Sequence, residues 1–178
     1  MTKKFTGGWS RETSNEADLQ RILLKLLDNV TLFAGFSQAE LLDLLTRAEK
    51  CVFPASEVII REGGFGHFMY IIMDGEVEIH KKLKNGSQKK LARFSSGNSF
   101  GEMALVDNEE RSASVLSVTD CVLIRISEKD FMKNPVSSAK LFKNIARTLS
   151  RRLRDTNEMV SLLLLEQERE RPQEKSRA

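Results

Sequence analysis

Cysteine and histidine are scarce in this chain, and each shortage removes a class of function. Cys51 and Cys121 are the only cysteines and stand far apart. They give neither a disulfide framework nor a metal-ligand spacing, and a reduced, cytoplasmic setting is the simplest expectation. The two histidines, His67 and His80, form no His-x-His pair, too few for the ligand cluster of a metal-dependent jelly-roll enzyme. They read as a loop residue and a strand-surface residue. No apolar run approaches a membrane span; the one at Ser161–Leu165 is far too short. The N-terminal MTKKFTGGWSRETSNEADLQ has no apolar core of a secretory signal. Ser-His-Asp and Cys-His arrangements are missing, as is a carboxylate pair in a catalytic context, so no enzyme and no catalytic or metal site is expected. The GGFG of Gly63–Gly66 lacks a third glycine and sits between strand patterns, which excludes a dinucleotide fingerprint.

What is present fits a soluble domain with added helices: 178 residues, 40% hydrophobic and 30% charged. The net charge of +3 is uneven. Met1–Val136 carries 18 basic against 19 acidic residues, and Ser137–Ala178 carries 10 against 6. A solvated basic helix is the simplest account, with nucleic-acid or acidic-surface contact as the alternative.

The pattern divides the chain into a flexible arm (1–15), helices and a β-barrel (16–136), a long helix (137–170) and a polar tail (171–178). Glu16–Val30 has helical apolar spacing. Ser37 with Glu40 is a capping box opening a second helix through about Glu49. Strands are expected at Val58–Arg61, Phe68–Met73, Glu76–Lys82, Lys89–Phe94, Ser112–Val118 and Val122–Ile126. Asp74-Gly75 and Asn85-Gly86 are two-residue hairpin signals. Short strands with glycine turns suggest a sandwich or jelly roll. Pro135 punctuates, and a helix follows from about Ser137 to Arg169, with Pro172 ending it. Along it, Phe142, Ala146, Leu149, Leu153, Thr156, Val160, Leu163 and Gln167 form a heptad seam with a polar break at Thr156, which predicts a homodimer.

The most informative stretch is Phe100–Val115, FGEMALVDNEERSASV. Gly101 permits positive φ or close backbone approach. Glu102 to Leu105 can form one helical turn whose free N–H groups suit an anion. Arg111 supplies a permanent charge in a fork suited to phosphate. Glu102 would repel phosphate and is better placed to accept from sugar hydroxyls. Ser112 and Ser114 alternate with Ala113 and Val115, so their hydroxyls share one strand face. An anion cradle beside a hydroxyl acceptor describes a nucleotide site.

FGEMAL followed by RSASV closely resembles the phosphate-binding cassette of the cyclic-nucleotide-binding domain family, which includes catabolite activator protein and the regulatory subunits of cAMP-dependent kinase. The resemblance extends from about Leu32 to about Leu165 and includes REGGFGHFMYIIMDGEVEI, where His67 stands in place of the Asp of many members. It implies a mainly β fold with flanking helices, a double-stranded β-helix (jelly roll) with a long C-terminal dimerisation helix. It also implies a ligand site at Phe100, Gly101, Glu102, Met103, Ala104, Arg111, Ser112 and Ala113, the residue after the arginine contributing its backbone N–H. The run Arg-Arg-Leu-Arg-Asp-Thr-Asn-Glu resembles the Arg-Arg-Leu-x-x-Thr-Ser-Glu of catabolite activator members, whose Thr-Ser pair touches adenine. That implies Thr156 as a base contact and Asn157 as a contribution from the partner subunit. No helix-turn-helix segment is expected after Gln167, where only a short charged stretch is read. The expected function is a stand-alone receptor for a cyclic mononucleotide, cAMP or else cGMP, with no other cofactor, a homodimeric state and a downstream protein partner. The alternatives are a nucleotide-free interaction protein on the same fold and a DNA-associated regulator using the basic helix; a nucleic-acid partner is the less favoured.

Overall fold

The computed structural model describes residues 16–170. The arm at 1–15, the tail at 171–178 and the helix stop at Pro172 lie outside the described residues. Helix α1 (Glu16–Asn29), a 3₁₀ turn (Thr31–Phe33) and α2 (Gln38–Leu45) precede eight strands. These are β1 (Glu49–Phe53), β2 (Val58–Ile60), β3 (Phe68–Asp74), β4 (Glu76–Lys82), β5 (Gln88–Ser95), β6 (Ser99–Phe100), β7 (Ser114–Ser117) and β8 (Cys121–Ser127). A short α3 (Met103–Val106) lies between β6 and β7. Another, α4 (Glu128–Phe131), follows β8, and α5 (Pro135–Glu170) closes the fold. Two antiparallel sheets, ordered β1-β8-β3-β6 and β2-β7-β4-β5, make the β-roll expected of the jelly-roll class.

The first sheet is a middle layer, and its sequence shows why. Alternate side chains of a strand point to opposite faces. On β3, Met69 and Ile71 join Leu26, Phe33, Leu41, Leu44 and Leu141 in a core under the helices. Tyr70 and Ile72 turn the other way and join Phe53, Val77, Phe100, Val115 and Leu123 between the sheets. A strand buried on both faces reads as a continuous apolar run, which FMYIIM is. Strand β5, QKKLARFS, is mostly exposed and accordingly charged. Cys51 and Cys121 are buried on neighbouring strands.

Several expectations need correction. The α2 capping box is present, with Ser37 Oγ accepting from Glu40 N (3.2 Å) and Glu40 Oε2 accepting from Ser37 N (2.7 Å). The helix ends at Leu45, because the chain from Glu49 is drawn into register with β8, where Arg125 Nη1 meets Glu49 Oε2 at 2.8 Å. Asp74-Gly75 makes no hairpin: β3 and β4 belong to different sheets, and the dipeptide carries the chain between them. Gly75 does so at φ +90°, where an added Cβ would lie 2.3 Å from the Asp120 carbonyl. Asn85-Gly86 does lie in the β4–β5 hairpin, but its loop spans 83–87 and is closed by Leu83 N donating to Ser87 O.

Helix α5 begins at Pro135, two residues before the expected start. Asn134 Oδ1 accepts from the amides of Val136 and Ser137, and proline fits the first helical position, where an N–H has no partner. Phe142 and Leu149 of the expected seam pack against the helical core of their own chain, while Ala146 is exposed. From Leu153 onward the seam is exposed: Leu153, Val160 and Leu163 each show about half their surface or more. No helix among the described residues is long and apolar enough to cross a membrane.

Asn144 fastens α5 to the 3₁₀ turn. It is 3% exposed, and its Nδ2 donates to the carbonyls of Leu32 (2.9 Å) and Ala34 (2.8 Å). Asn144→Ala would leave both carbonyls without a donor in a dry setting, a loss of roughly 1–3 kcal/mol. Urea unfolding should show a lower midpoint at an unchanged slope; an unchanged midpoint would show that the fastening is dispensable.

Candidate functional site

The cassette is shaped around one buried cation. Strand β6 ends at Phe100, and Gly101, at a φ of +82°, turns the chain toward α3. The loop after α3 passes through Asn108 at φ +57°, a conformation asparagine tolerates, and reaches Arg111. Arg111 is 5% exposed. Its Nη1 donates to Gly101 O and its Nη2 to Phe68 O, both at 2.7 Å, and the guanidinium lies 4.6 Å from the Phe68 ring centre. A guanidinium has five N–H donors, so these bonds leave others for a ligand. Burial lowers the Arg111 pKa, opposed by Tyr70 and Glu102; the side chain stays charged.

Glycine makes the space for this cation. A Cβ on Gly101 would sit 2.8 Å from Arg111 Nη1, and one on Gly66 would sit 2.6 Å from the Phe68 ring and 3.1 Å from Arg111 Nη2. The GGFG loop also clamps the Arg111 backbone: Arg111 N donates to Gly64 O (2.8 Å), and Arg111 O accepts from Gly63 N (2.9 Å). In a trans peptide the C=O and the next N–H point in opposite directions. Holding the Arg111 carbonyl on the glycine loop therefore turns the Ser112 N–H away from that loop. The GGFG segment, which is no dinucleotide fingerprint, supports the cassette.

Glu102 is 1% exposed. Its Oε1 pairs with Arg152 Nη1 from α5, and Arg152 Nη2 donates to Ser99 O at 2.7 Å. Its Oε2 is buried with no hydrogen-bond partner among the described residues. Burial raises the Glu102 pKa, with the charges of Arg152 and Arg111 acting against it. An orphaned carboxylate oxygen in a dry cavity calls for a donor.

These groups line a cavity of about 670 Å³ between the second sheet, α3, the 111–113 segment and α5. Ile60, Ile79, Leu91, Phe94 and Phe100 give it apolar walls; Glu102, Arg111, Ser112, Arg152 and Thr156 give it polar groups. Of the residues singled out in the sequence, Phe100, Gly101, Glu102, Met103, Ala104, Arg111, Ser112, Ala113 and Thr156 all line it. Asn157 does not line its own chain's cavity; it is exposed on α5.

Ser112 and Ser114 do not share a strand face, because β7 begins only at Ser114. Ser114 Oγ accepts from Glu62 N at 3.0 Å, a structural bond, while Ser112 Oγ lies 3.6 Å from Met103 Sδ. The Ser112 carbonyl accepts from Lys81 Nζ at 2.6 Å. Thr156 Oγ1 donates to Arg152 O at 2.8 Å. His67 faces Asn108, and His80 pairs with Glu78. No group of three or more potential metal ligands occurs among the described residues.

Arg152 is the site residue that sequence reasoning missed. Its signal was present: it stands four residues before Thr156, hence on the same helix face. Its stacking at 4.3 Å on the Phe94 ring needs the barrel in place to be seen.

Comparison with known proteins agrees with this geometry. The profile described as "Cyclic nucleotide-binding domain" matches residues 50–133. The chain is 31% identical over 140 residues to the cyclic AMP receptor protein of Thermus thermophilus, covering 79% of this chain and 65% of the relative. It is 28% identical over 119 residues to a cAMP-dependent protein kinase regulatory subunit of Blastocladiella emersonii, covering 66% and 30%. The chain thus spans less than two thirds of these relatives. The crystal structure of Thermus thermophilus catabolite activator protein superposes with a TM-score of 0.68 at 30% identity, covering 75% of this chain and 62% of that one. A cyclic nucleotide-binding domain from Methylobacillus flagellatus shares the fold, with a TM-score of 0.71 at 23% identity over 81% and 83% of the two chains.

Proposed function

Since the chain belongs to the cyclic nucleotide-binding domain family through residues 50–133, we propose that its cavity receives a cyclic mononucleotide, with cAMP preferred over cGMP. One observation carries this reading. The buried, unpartnered Glu102 Oε2 stands beside the buried Arg111 guanidinium in a single cavity. The ligand that satisfies both has an anion and a hydroxyl a few bonds apart.

In this role Arg111 holds the phosphate with the N–H groups that Gly101 and Phe68 leave free. The Ser112 amide and the first amides of α3, which have no acceptor one turn back within that helix, add uncharged donors. Glu102 accepts from the ribose 2′-hydroxyl. The base lies along the apolar wall toward α5, where Thr156 is the polar contact. The Thr156 proton is taken up by the Arg152 carbonyl, so its oxygen is left as an acceptor. Adenine offers an amino group there and guanine a carbonyl.

The role is a binding one, and its output runs through α5. A ribose hydroxyl on Glu102 Oε2 joins the same carboxylate that Arg152 holds through Oε1, so ligand binding bears on the link between barrel and helix. The exposed Leu153, Val160 and Leu163 fit a seam with a second copy, whose Asn157 would approach the base.

Calorimetric titration tests the site. Arg111→Ala should cost roughly 2–5 kcal/mol, about 30- to several-thousand-fold in cAMP affinity. A variant binding within about threefold of wild type would remove the cassette assignment. Wild type should prefer cAMP about tenfold, roughly 1.4 kcal/mol, and Thr156→Ala should lose cAMP affinity more than cGMP affinity. Equal losses would reduce Thr156 to a packing residue. Val160→Glu with Leu163→Glu should give a monomer in light scattering; a wild-type chain already monomeric at high concentration would refute the seam.

A further inference from the structure

Helix α5 carries a second set of charges that the nucleotide cavity does not use. Lys143, Arg147, Arg151 and Arg154 are all exposed, at spacings of four, four and three residues. That spacing puts them in one row on one helix face. At 1.5 Å per residue the row is about 16 Å long. Among the described residues none of the four makes a salt bridge, although Asp155 and Glu158 stand four residues after Arg151 and Arg154. Lys140, at the head of the row, is by contrast paired with Glu40 at 2.7 Å.

The row begins at a second cavity, of about 300 Å³, lined by Ala34, Gly35, Lys140, Lys143, Asn144 and Arg147. Asn144 lines it while nine-tenths buried, fixed by its two bonds to the 3₁₀ segment. Like charges at i,i+4 destabilise a helix, and Lys143–Arg147 and Arg147–Arg151 are such pairs. A row of acidic groups laid along the face would remove that repulsion.

We infer that this row, with the cavity at its head, is a docking surface for an acidic segment of a protein partner. Carboxylates at helical spacing match the four cations one for one, and the cavity is of a size for one side chain. A nucleic-acid duplex fits less well. Its phosphates would extend past the narrow row onto Glu158 at one end and Glu40, beside Lys140, at the other. The row lies roughly 150° around the helix from the Leu153–Val160–Leu163 seam at 3.6 residues per turn. Docking here therefore remains open when the seam is covered, and it does not depend on which ligand the first cavity takes.

The test is fluorescence anisotropy at low ionic strength, where exposed charges are least screened, using the full chain, a labelled decaglutamate peptide and a labelled random-sequence duplex. The peptide should bind, and Lys143→Glu with Arg147→Glu and Arg151→Glu should weaken it by about tenfold or more. Circular dichroism should show the variant folded, since all three positions are exposed. Lys89→Glu with Lys90→Glu, which reverses two cations on exposed β5, should change affinity by less than about twofold. Equal loss in both variants would show attraction to net charge and overturn the surface. Failure of the peptide to bind would overturn it too. A duplex bound more tightly than the peptide and released by the α5 variant would make the partner a nucleic acid and overturn the acidic-segment assignment.

Discussion

A guanidinium taken out of water must be met by fixed dipoles, and the cassette end of this fold is arranged around that requirement. Arg111 is 5% exposed, among the described residues no carboxylate is in salt-bridge contact with it, and two backbone carbonyls and one aromatic face hold it. Those carbonyls belong to Gly101, just after β6, and Phe68, at the start of the paired strand β3. Both must be in place before the side chain can be buried. Gly101 and Gly66 are glycine because a Cβ at either would stand where the cation or its ring partner stands. The GGFG loop fixes the Arg111 backbone from the other side. A permanent charge prepared in this way has donors left over, and it lowers the cost of bringing an anion into the same cavity.

The second charged group, Glu102, connects that end of the barrel to α5. Burial disfavours its ionised form, and the pair with Arg152 restores part of what burial costs. Only one carboxylate oxygen is satisfied in that pair. Arg152 also holds Ser99 O and lies on Phe94, so a single side chain joins the long helix to β6 and β5. A ligand hydroxyl arriving at Glu102 meets a partner that already anchors the helix. Under the proposed function, binding and helix placement are for that reason one equilibrium.

What was legible in the sequence follows from the range of the interactions. Alternation and capping are local, so β4 and the α2 capping box stood where expected, and β3 was short by a single residue. The cassette was legible because its chemistry is packed into a short segment. Asp74-Gly75 misled because a positive-φ turn says how the chain bends and not which sheet receives it. The end of α2 was misplaced because Glu49–Phe53 owes its form to β8, whose Cys121–Arg125 lies far along the chain. Ser112 was assigned to a strand by alternation, whereas its carbonyl is held by Lys81, across the β4–β7 pairing. Arg152 was missed because a helical arginine looks like any solvated charge until its helix is laid over Phe94 and Glu102.

Helix α5 shows how one rod can hold several roles without conflict. Its first half buries Leu141, Asn144 and Ile145 against the barrel and the 3₁₀ turn, which fixes both its axis and its rotation. Once rotation is fixed, the remaining faces are assigned by the helical period alone. Arg152, Asp155, Thr156 and Met159 face the cavity; Leu153, Val160 and Leu163 form an apolar line beside them; and the cation row occupies the far side. A heptad pattern read from sequence merges the first two sets, since Thr156 belongs to both the seam and the cavity. Under the proposed function, that shared residue is the physical reason for ligand contact and helix pairing to be coupled, and the cation row, on neither face, is left for the acidic partner inferred above.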